Sequence, residues 1–508
     1  MSVLKSETIA APGFFGLNTQ ESGITLSDGF ALEATNCIID KFGRIGSRKG
    51  WTKLNSSAFT GQVRALAEYT ATDGSLKILY AANNKLFRLE DNFTSTELTD
   101  ADASNITITD DDWQIITYNN VAVFVQQGHE MVYYDGTNNN YNEYTNAPGS
   151  TSPSCGAACF NRVWVADDNI VYWSRILDAK DFSGTGSGFI NVREIFGEDD
   201  TVTALTAYNN RLVIFGRRNI AFFSGAEDPT GIRFQMTDHI KGIGCIARDS
   251  VQNVGTDVFF LSADGVRSVG RTIQEVSSPI GDVSRNVRDE LVQFVSSESE
   301  FRIKGIFSQQ DAFYLLTLPS TGFVYCFDTR GVLQDQSRRV TKWTQINPTA
   351  YVVRKNGDLL LGQNGYVAKY DGFADDTTRY RMQYYTNYFD FGNSTVESIL
   401  KKVRIAIIGS TQQDCALKFA FDYDVNYRSV SFTLAEGITS EYNVDEYFSD
   451  DSTDNEAEYS SGIILDNISL NLGGRGAVMQ IGIEADVSAA ALSIQKIDIF
   501  ATDGKLIS

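Results

Sequence analysis

Histidine is almost missing from this 508-residue chain, which has only two, and cysteine and proline are scarce at six and seven. His129 falls in a predicted hairpin and His239 in a predicted loop, which supports neither a histidine metal site nor a Ser-His-Asp triad. The six cysteines (Cys37, Cys155, Cys159, Cys245, Cys326 and Cys415) are too sparse for a disulfide scaffold and are expected as small buried hydrophobes. Cations are also short: 43 Lys and Arg face 64 Asp and Glu, a formal charge of −21. That excludes a protein that grips nucleic acid through a basic stripe, while leaving open one past which DNA moves without sticking. No apolar run approaches a membrane span, and MSVLKSETIAAPGFFGL lacks a cationic n-region followed by an apolar h-region, so the chain reads as soluble and made without secretion.

Strand formers are abundant, with 23 Tyr and 32 Phe, and turn pairs such as Asn83-Asn84, Asn119-Asn120, Asn209-Asn210 and Asp264-Gly265 punctuate them. In GDLLLGQNGYVAKYD, residues 357–371, Asn364-Gly365 separates two apolar runs, and both central positions of a type I′ hairpin turn need φ > 0. Similar hairpins precede it: LKILYAANNKLFRLED from Leu76, VAVFVQQGHEMVYYD from Val121, RVWVADDNIVYWS from Arg162, RLVIFGRRNIAFFSG from Arg211, DVFFLSADGVRSVG from Asp257 and AFYLLTLPSTGFVYCFD from Ala312. Their turns recur about every 47 residues, the period of a propeller blade. A further strand precedes many of them (WQIITYNN, CGAACFN, TALTAYNN), and a weaker one follows (YNEYT, GFINVRE, IRFQMTD, KWTQI). Four strands cannot bury both sheet faces alone, and radial stacking of neighbours shelters them. Between the fifth and sixth hairpins, Val283, Val287, Leu291 and Val295 at spacing four predict a short helix capped by Asp282 or Ser284, crossing the outside or one mouth of the ring.

Beyond residue 380 the recurrence stops, and alternating strands such as LKKVRIAIIGS, ALKFAFDYDV and LSIQKIDIFATDG suggest a β-sandwich or jelly-roll-like domain. The expected architecture is all-β: an N-terminal extended arm and hairpin over 1–54, a β-propeller of about seven blades over 55–380, and a C-terminal β-sandwich over 381–508. The acidic stretch NVDEYFSDDSTDNEAEYS from Asn443 has no Lys or Arg and reads as a solvated loop, with calcium or partner docking as the alternatives.

Chemical motifs fail one by one. Cys155 and Cys159 lack a second pair at zinc-ligand spacing. GIGCIA from Gly242 spells a dinucleotide fingerprint, but no helical pattern follows, so it is a blade turn. Asp422, Asp424 and Asn426 open like a calcium loop, yet Tyr427 and Thr433 stand where Gly and a bidentate Glu are needed, which favours a strand. Asp110, Asp111 and Asp112 are adjacent loop carboxylates, which says nothing about the separation a glycosidase pair requires. Arg217 and Arg218 are ordinary turn cations, and Tyr141 and Tyr144 read as blade strand in preference to exposed binding aromatics. No residue is assigned a catalytic, cofactor-binding or metal role, and no cofactor is expected. The hairpin units show no Gly-His and Trp-Asp pairing per repeat, no double-glycine kelch signature and no Ser-x-Asp-x-Gly-x-x-Trp boxes, which weakens the signalling-scaffold and sialidase readings.

The segment from Ala11 to Trp51, APGFFGLNTQESGITLSDGFALEATNCIIDKFGRIGSRKGW, contains a plausible hairpin turning at Phe42-Gly43 and a Gly-rich, aromatic PGFFGLN better suited to a groove than to a strand. It resembles the opening of tail tubular or nozzle proteins of short-tailed bacteriophages, and SADGVRSVG followed by the helical insertion extends that likeness into the propeller. The resemblance implies a non-enzymatic virion subunit, synthesised in the host cytoplasm and placed in the tail. It also implies a homo-oligomeric ring, usually a hexamer, below the portal and adaptor, near tail fibres or spikes, through which genomic DNA leaves without specific binding. The chain is shorter than many such proteins, which puts in doubt the peripheral domains of larger relatives. On this reading its acidity repels DNA phosphates over about 10 Å and lets the duplex slide, while loops from the propeller and sandwich domains narrow the bore and gate ejection. Two other classes stay open: a receptor- or carbohydrate-binding propeller, and a glycan-degrading propeller enzyme.

Overall fold

The computed structural model describes residues 4–101, 108, 112–144, 152–230, 233–274, 282–392, 395–409, 413–434, 464–488 and 490–506. Every quoted hairpin is an antiparallel pair. Asn364 and Gly365 have φ of 51° and 78°, and the pairs Asn83-Asn84, Asn119-Asn120 and Asn209-Asn210 are likewise left-handed at both positions, as type I′ turns require.

In chain order the sheets form blades lettered A to G. Blade A holds Val63–Thr70, Leu76–Ala82, Lys85–Leu89 and Ser95–Asp100; blade B holds Gln114–Tyr118, Val121–Gln126, His129–Tyr134 and Asn140–Glu143. Blade C holds Cys155–Cys159, Arg162–Asp167, Ile170–Trp173 and Gly188–Asn191; blade D holds Val202–Tyr208, Arg211–Gly216, Asn219–Ser224 and Gln235–Lys241. Blade E has Gln252–Val254, Asp257–Ser262 and Gly265–Ser268, and blade F has Lys304–Ser308, Phe313–Leu318, Phe323–Asp328 and Val340–Trp343. Blade G has Ala350–Val353, Leu359–Gln363 and Tyr366–Tyr370 and takes Trp51–Lys53 as its fourth strand.

Each blade shares a hydrophobic cluster with the next. Phe124 packs with Leu79 between A and B, Val123 with Val165 between B and C, Trp164 with Leu212 between C and D, and Phe215 with Phe260 between D and E. Phe259 and Tyr314 join E to F, Leu315 and Leu361 join F to G, and Leu360 and Val367 of G meet Val63 and Tyr80 of A. The last contact closes the ring, so each sheet buries both faces, at about 1.5–3 kcal/mol per fully buried large apolar side chain.

The C-terminal unit packs a seven-stranded sheet against a ten-stranded sheet across one core. The first contains Val396–Gly409, Ile464–Asn471 and Leu492–Leu506; the second runs from blade F through Gly16–Leu17 and Phe30–Thr35 to Tyr380–Thr386, Met479–Val487, Asp414–Phe421 and Arg428–Thr433. The N-terminal segment is divided among these sheets. Leu4–Ala10 pairs with Leu492–Leu506, the hairpin Cys37–Ile39/Ile45–Ser47 joins the same sheet, and Trp51–Lys53 closes blade G. The hairpin turns as expected, with Gly43 at φ 74° and Asp40 accepting from the Phe42 and Arg44 amides. Within PGFFGLN, Phe14 is fully buried and meets Tyr384 edge-on at 5.7 Å, but Gly16–Leu17 does form a short strand, parallel to Phe30–Ala31.

The predicted helix is shorter than its apolar spacing, an α-helix over Arg288–Val295 preceded by a 3-10 turn over Arg285–Val287. Neither expected cap operates. Ser284 Oγ accepts the Val266 amide of blade E and Asp282 pairs with Arg267 and Arg288, leaving Val287 at the N-cap without a side-chain bond. Among the described residues no helix is long and apolar enough to cross a membrane.

Candidate functional site

The innermost strands bring charged residues from distant parts of the sequence to one mouth of the propeller. Arg248, at the entrance to blade E with its side chain 2% exposed, donates from Nη1 to the Ser154 carbonyl of the blade C approach at 2.8 Å and from Nη2 to the Asp112 carbonyl of the blade B approach at 3.3 Å. Its Nε and Nη2 grip both oxygens of Asp249 at 3.0 Å, and Lys304 of blade F reaches Asp249 Oδ2 at 2.5 Å. Arg302, also of blade F, lies 3.6 Å from Asp112 Oδ2, and Arg64 of blade A lies 3.9 Å from Asp112 Oδ1. Blades B and F are not neighbours in the ring, so these bonds run across its axis and bridge it. Burial alone would raise the Asp249 carboxyl, but Arg248 and Lys304 outweigh it and hold the carboxyl down to about 2. A carboxylate so held is a poor proton acceptor at neutral pH; the cluster suits cross-linking of blades.

A second convergence joins propeller to C-terminal unit. Asn36, at φ 55°, donates from Nδ2 to the Arg381 carbonyl at 2.8 Å and accepts at Oδ1 from the Thr344 amide at 2.9 Å and from Arg48 Nε at 3.2 Å. The fully buried Arg48 forks onto Asp375 at 2.8 and 2.7 Å and lies 4.0 Å over the Tyr380 ring. Lys49 continues the seam, its amide donating to Tyr370 Oη at 3.1 Å and its ammonium meeting Asp311 at 2.9 Å. This places Arg48, Lys49 and Trp51 at the junction where blade G closes.

The residues singled out from sequence are not brought together. His129 lies on a blade B strand beside Trp113, with ring centroids 5.7 Å apart. His239 was expected in a loop and instead lies on the outer strand of blade D, its Nε2 3.0 Å from Asn219 Oδ1; burial and nearby Lys241 pull its pKa below the ordinary value. All six thiols are free; five are buried and Cys159 departs from the expected full burial, being half-buried. Burial pushes the Cys155, Cys159, Cys245 and Cys415 thiols up to about 12, and Cys37 and Cys326 higher still. Gly242–Ala247 is a turn, followed only by a three-residue 3-10 helix.

Asp422, Asp424, Asn426 and Tyr427 sit in the turn before Arg428–Thr433, and Asp422 Oδ1 accepts from the Ala477 and Val478 amides, so the strand reading holds from Arg428 onward. Arg217 and Arg218 occupy a turn whose amides donate to Asp200, and Arg217 pairs with Glu300. Tyr141 is a buried blade B strand residue, and Tyr144 follows that strand with its Oη donating to the Ala179 carbonyl at 3.0 Å. Asp110, Asp111 and the stretch from Asn443 to Ser460 lie outside the described residues. Among the described residues no group of three or more His, Cys, Asp or Glu could hold a metal ion.

A recurrent Asx turn escaped the sequence reading. Past the third strands of blades A, B and D, at the last residue of that strand in blade F, and in the corresponding loop of blade C, Asn92, Asp135, Asp228, Asp328 and Asp181 each accept the amide two residues on, from Thr94, Thr137, Thr230, Arg330 and Ser183. The signal was available as an Asp or Asn after each hairpin. Asp135 adds a cross-blade pair, 2.6 Å from Lys180 of blade C.

Several solved structures resemble the chain in part, at TM-scores too low to support a functional comparison. The extracellular domain of a one-component system from B. thetaiotaomicron is 10% identical, with 64% of this chain and 40% of that one covered and a TM-score of 0.40. A streptogramin B lyase is 10% identical, with 63% and 97% covered and a TM-score of 0.38, and YCF48 from Cyanidioschyzon merolae is 9% identical, with 63% and 99% covered and a TM-score of 0.41. This chain therefore spans 40% of the length of the first of these. No curated protein matches the sequence. Residues 44–355 match the family described as "Bacteriophage P22 Gp10, beta-propeller", more than half of the chain and the stretch that runs from the Arg48 anchor to blade G. The chain belongs to that bacteriophage β-propeller family.

Proposed function

We propose that this protein is a structural subunit of the tail nozzle of a short-tailed phage, a seven-bladed propeller whose copies form a ring around the exit channel of the genome. The observation that carries the reading is the family match over residues 44–355, and the nozzle assignment adds to it the likeness of the Ala11–Trp51 arm. In this account the cross-axis ion pairs of Arg248, Asp249, Lys304, Arg302 and Asp112 close the propeller's own bore, so the conduit lies between copies rather than through one chain. The formal charge of −21 per copy supports passage of DNA without lodging. A non-enzymatic role fits carboxylates committed to guanidinium partners and thiols held protonated by burial. Adaptor, fibres and DNA are the partners proposed, and the virion tail is the location.

The reading is tested with particles assembled while synthesis of this chain is blocked. Heads that fill with DNA but lack the distal tail and fail to retain or deliver the genome are expected. Particles with complete tails and undiminished infectivity would overturn it, and hydrolysis of a host-envelope saccharide by the purified chain would replace it with the enzyme reading.

A further inference from the structure

Ile464–Asn471 is one edge of the seven-stranded sheet, and at the other side Leu4–Ala10 flanks Leu492–Leu506 alongside the Cys37–Ile39/Ile45–Ser47 hairpin; no described strand pairs the outer side of Ile464–Asn471 or of Leu4–Ala10. Individual bonds fix which backbone groups face outward. The Ala11 amide donates inward to the Gln495 carbonyl at 3.0 Å, in the register that pairs Ala10 with Lys496, so by alternation the amides of Ser6 and Thr8 point out. The Leu472 amide donates inward to the Lys401 carbonyl at 3.0 Å, in the register that pairs Ile468 with Ile405, so those of Asn467 and Ser469 point out. Neither ladder contains a register shift.

Unpaired edges template pairing with another chain, and proteins usually blunt them. The propeller does so among the described residues. The outer strands of blades A and B pair with each other, blade C ends in a four-residue strand, and blade D in one with a register shift that carries Asp238 and Lys241. Blade E's edge amide at Val266 is taken by Ser284, blade F's edge by the Gly16–Leu17 and Phe30–Thr35 strands, and blade G ends in the three residues Trp51–Lys53. By contrast Ile464–Asn471 has no Pro or Gly and one charge, Asp466, and Leu4–Ala10 has no Pro or Gly and carries Lys5 and Glu7.

Directions alternate along Ile464–Asn471, Val396–Gly409, Leu492–Leu506 and Leu4–Ala10, each pair being antiparallel. Four alternating strands leave the outer two opposed, so a second copy placed alongside in the same orientation sets its Ile464–Asn471 strand antiparallel to Leu4–Ala10 of the first. The faces agree as well: Ile9 is buried and Ile468 and Leu470 pack on the same core, while Ser6, Thr8, Asn467 and Ser469 are exposed and uncharged. We propose that the Leu4–Ala10 edge of one copy pairs with the Ile464–Asn471 edge of the next, head to tail. A heterologous contact of this kind uses both edges in one interface and closes a ring if the rotation closes. The inference rests on the ring reading above.

The test is native mass spectrometry of the full chain with Ser6→Pro and Ser469→Pro, each of which removes an outward amide and leaves the inward ladder bonds. The wild type is expected as a closed ring, and each variant as a monomer with a native circular-dichroism spectrum. An equimolar mixture of the two variants is expected to give a heterodimer through its one intact edge pair. Rings that persist in both variants overturn the edge pairing while leaving the subunit reading intact, and a wild type that stays monomeric at high concentration overturns the ring itself. Homodimers of either variant indicate two-fold pairing of like edges and also overturn the head-to-tail contact. If a variant misfolds, hydrogen exchange on the wild type decides: slowing of the Ser6, Thr8, Asn467 and Ser469 amides on assembly is expected, and unchanged exchange refutes the contact.

Discussion

Replacing Asp249 with Asn probes the cross-axis cluster through both charge and pH. In the folded protein its carboxyl is held down to about 2 against an ordinary 3.8, burial opposing and Arg248 and Lys304 prevailing. A depressed folded pKa contributes stability that is present above the unfolded value and lost as pH falls through the folded one. The window is therefore pH 4 down to 2, and the contribution is roughly 2 kcal/mol at 1.36 kcal/mol per pKa unit. At neutral pH the substitution also leaves Arg248 and Lys304, 2% and 7% exposed, without their shared anion, for a cost of about 3–5 kcal/mol. Urea unfolding measured from pH 7 to 3 reads both effects. The Asp249→Asn protein is expected to be weaker at pH 7 and to lose less stability than wild type on acidification. Parallel pH profiles, with a difference at pH 7 below about 0.5 kcal/mol, would refute the claim that this cluster ties blades B, C, E and F together.

Other expectations follow from the seam and the turns. Arg48→Met should cost about 3–5 kcal/mol in urea unfolding by stranding Asp375, whose side chain is 10% exposed, and adding Asp375→Leu should recover part of it; additive losses would contradict the coupling. Gly365→Val forces a Cβ to within 2.5 Å of the Phe59 carbonyl oxygen at φ 78° and should cost about 1–3 kcal/mol in thermal unfolding, whereas an unchanged midpoint would show that the turn relaxes freely. Because burial pushes the thiols up to about 12 or beyond, a thiol reagent at pH 8 should leave Cys37, Cys155, Cys245, Cys326 and Cys415 unlabelled in the native protein and label all six cysteines in denaturant; rapid native labelling of any of those five would contradict their burial.

The sequence showed the propeller hairpins because a type I′ turn demands residues that tolerate positive φ, and Asn364-Gly365 or Asn209-Asn210 between apolar runs leaves few alternatives. Trp51–Lys53 was illegible as a strand: three residues carry no periodicity, and their partner at Tyr366–Tyr370 is more than 300 positions away. The outer strand of blade D was legible as IRFQMTD but not as far as Lys241, so His239 fell outside it: Gln235–Lys241 is mostly exposed and does not alternate. The helix was visible from Val283, Val287 and Leu291, but not its missing caps, since Ser284 and Asp282 are drawn to blade E by contacts with no local trace. The cross-axis cluster was invisible for the same reason. Arg248, Asp112 and Lys304 are unremarkable charges until the ring brings their strands together.

The central claim, a ring-forming structural subunit, meets its most direct test in cryo-electron microscopy of the intact particle. The account predicts propellers of this chain in a closed ring at the tail tip, with the DNA path running between copies and the Leu4–Ala10 strand against a neighbour. Single copies mounted on the side of the particle, away from any central passage, would contradict it.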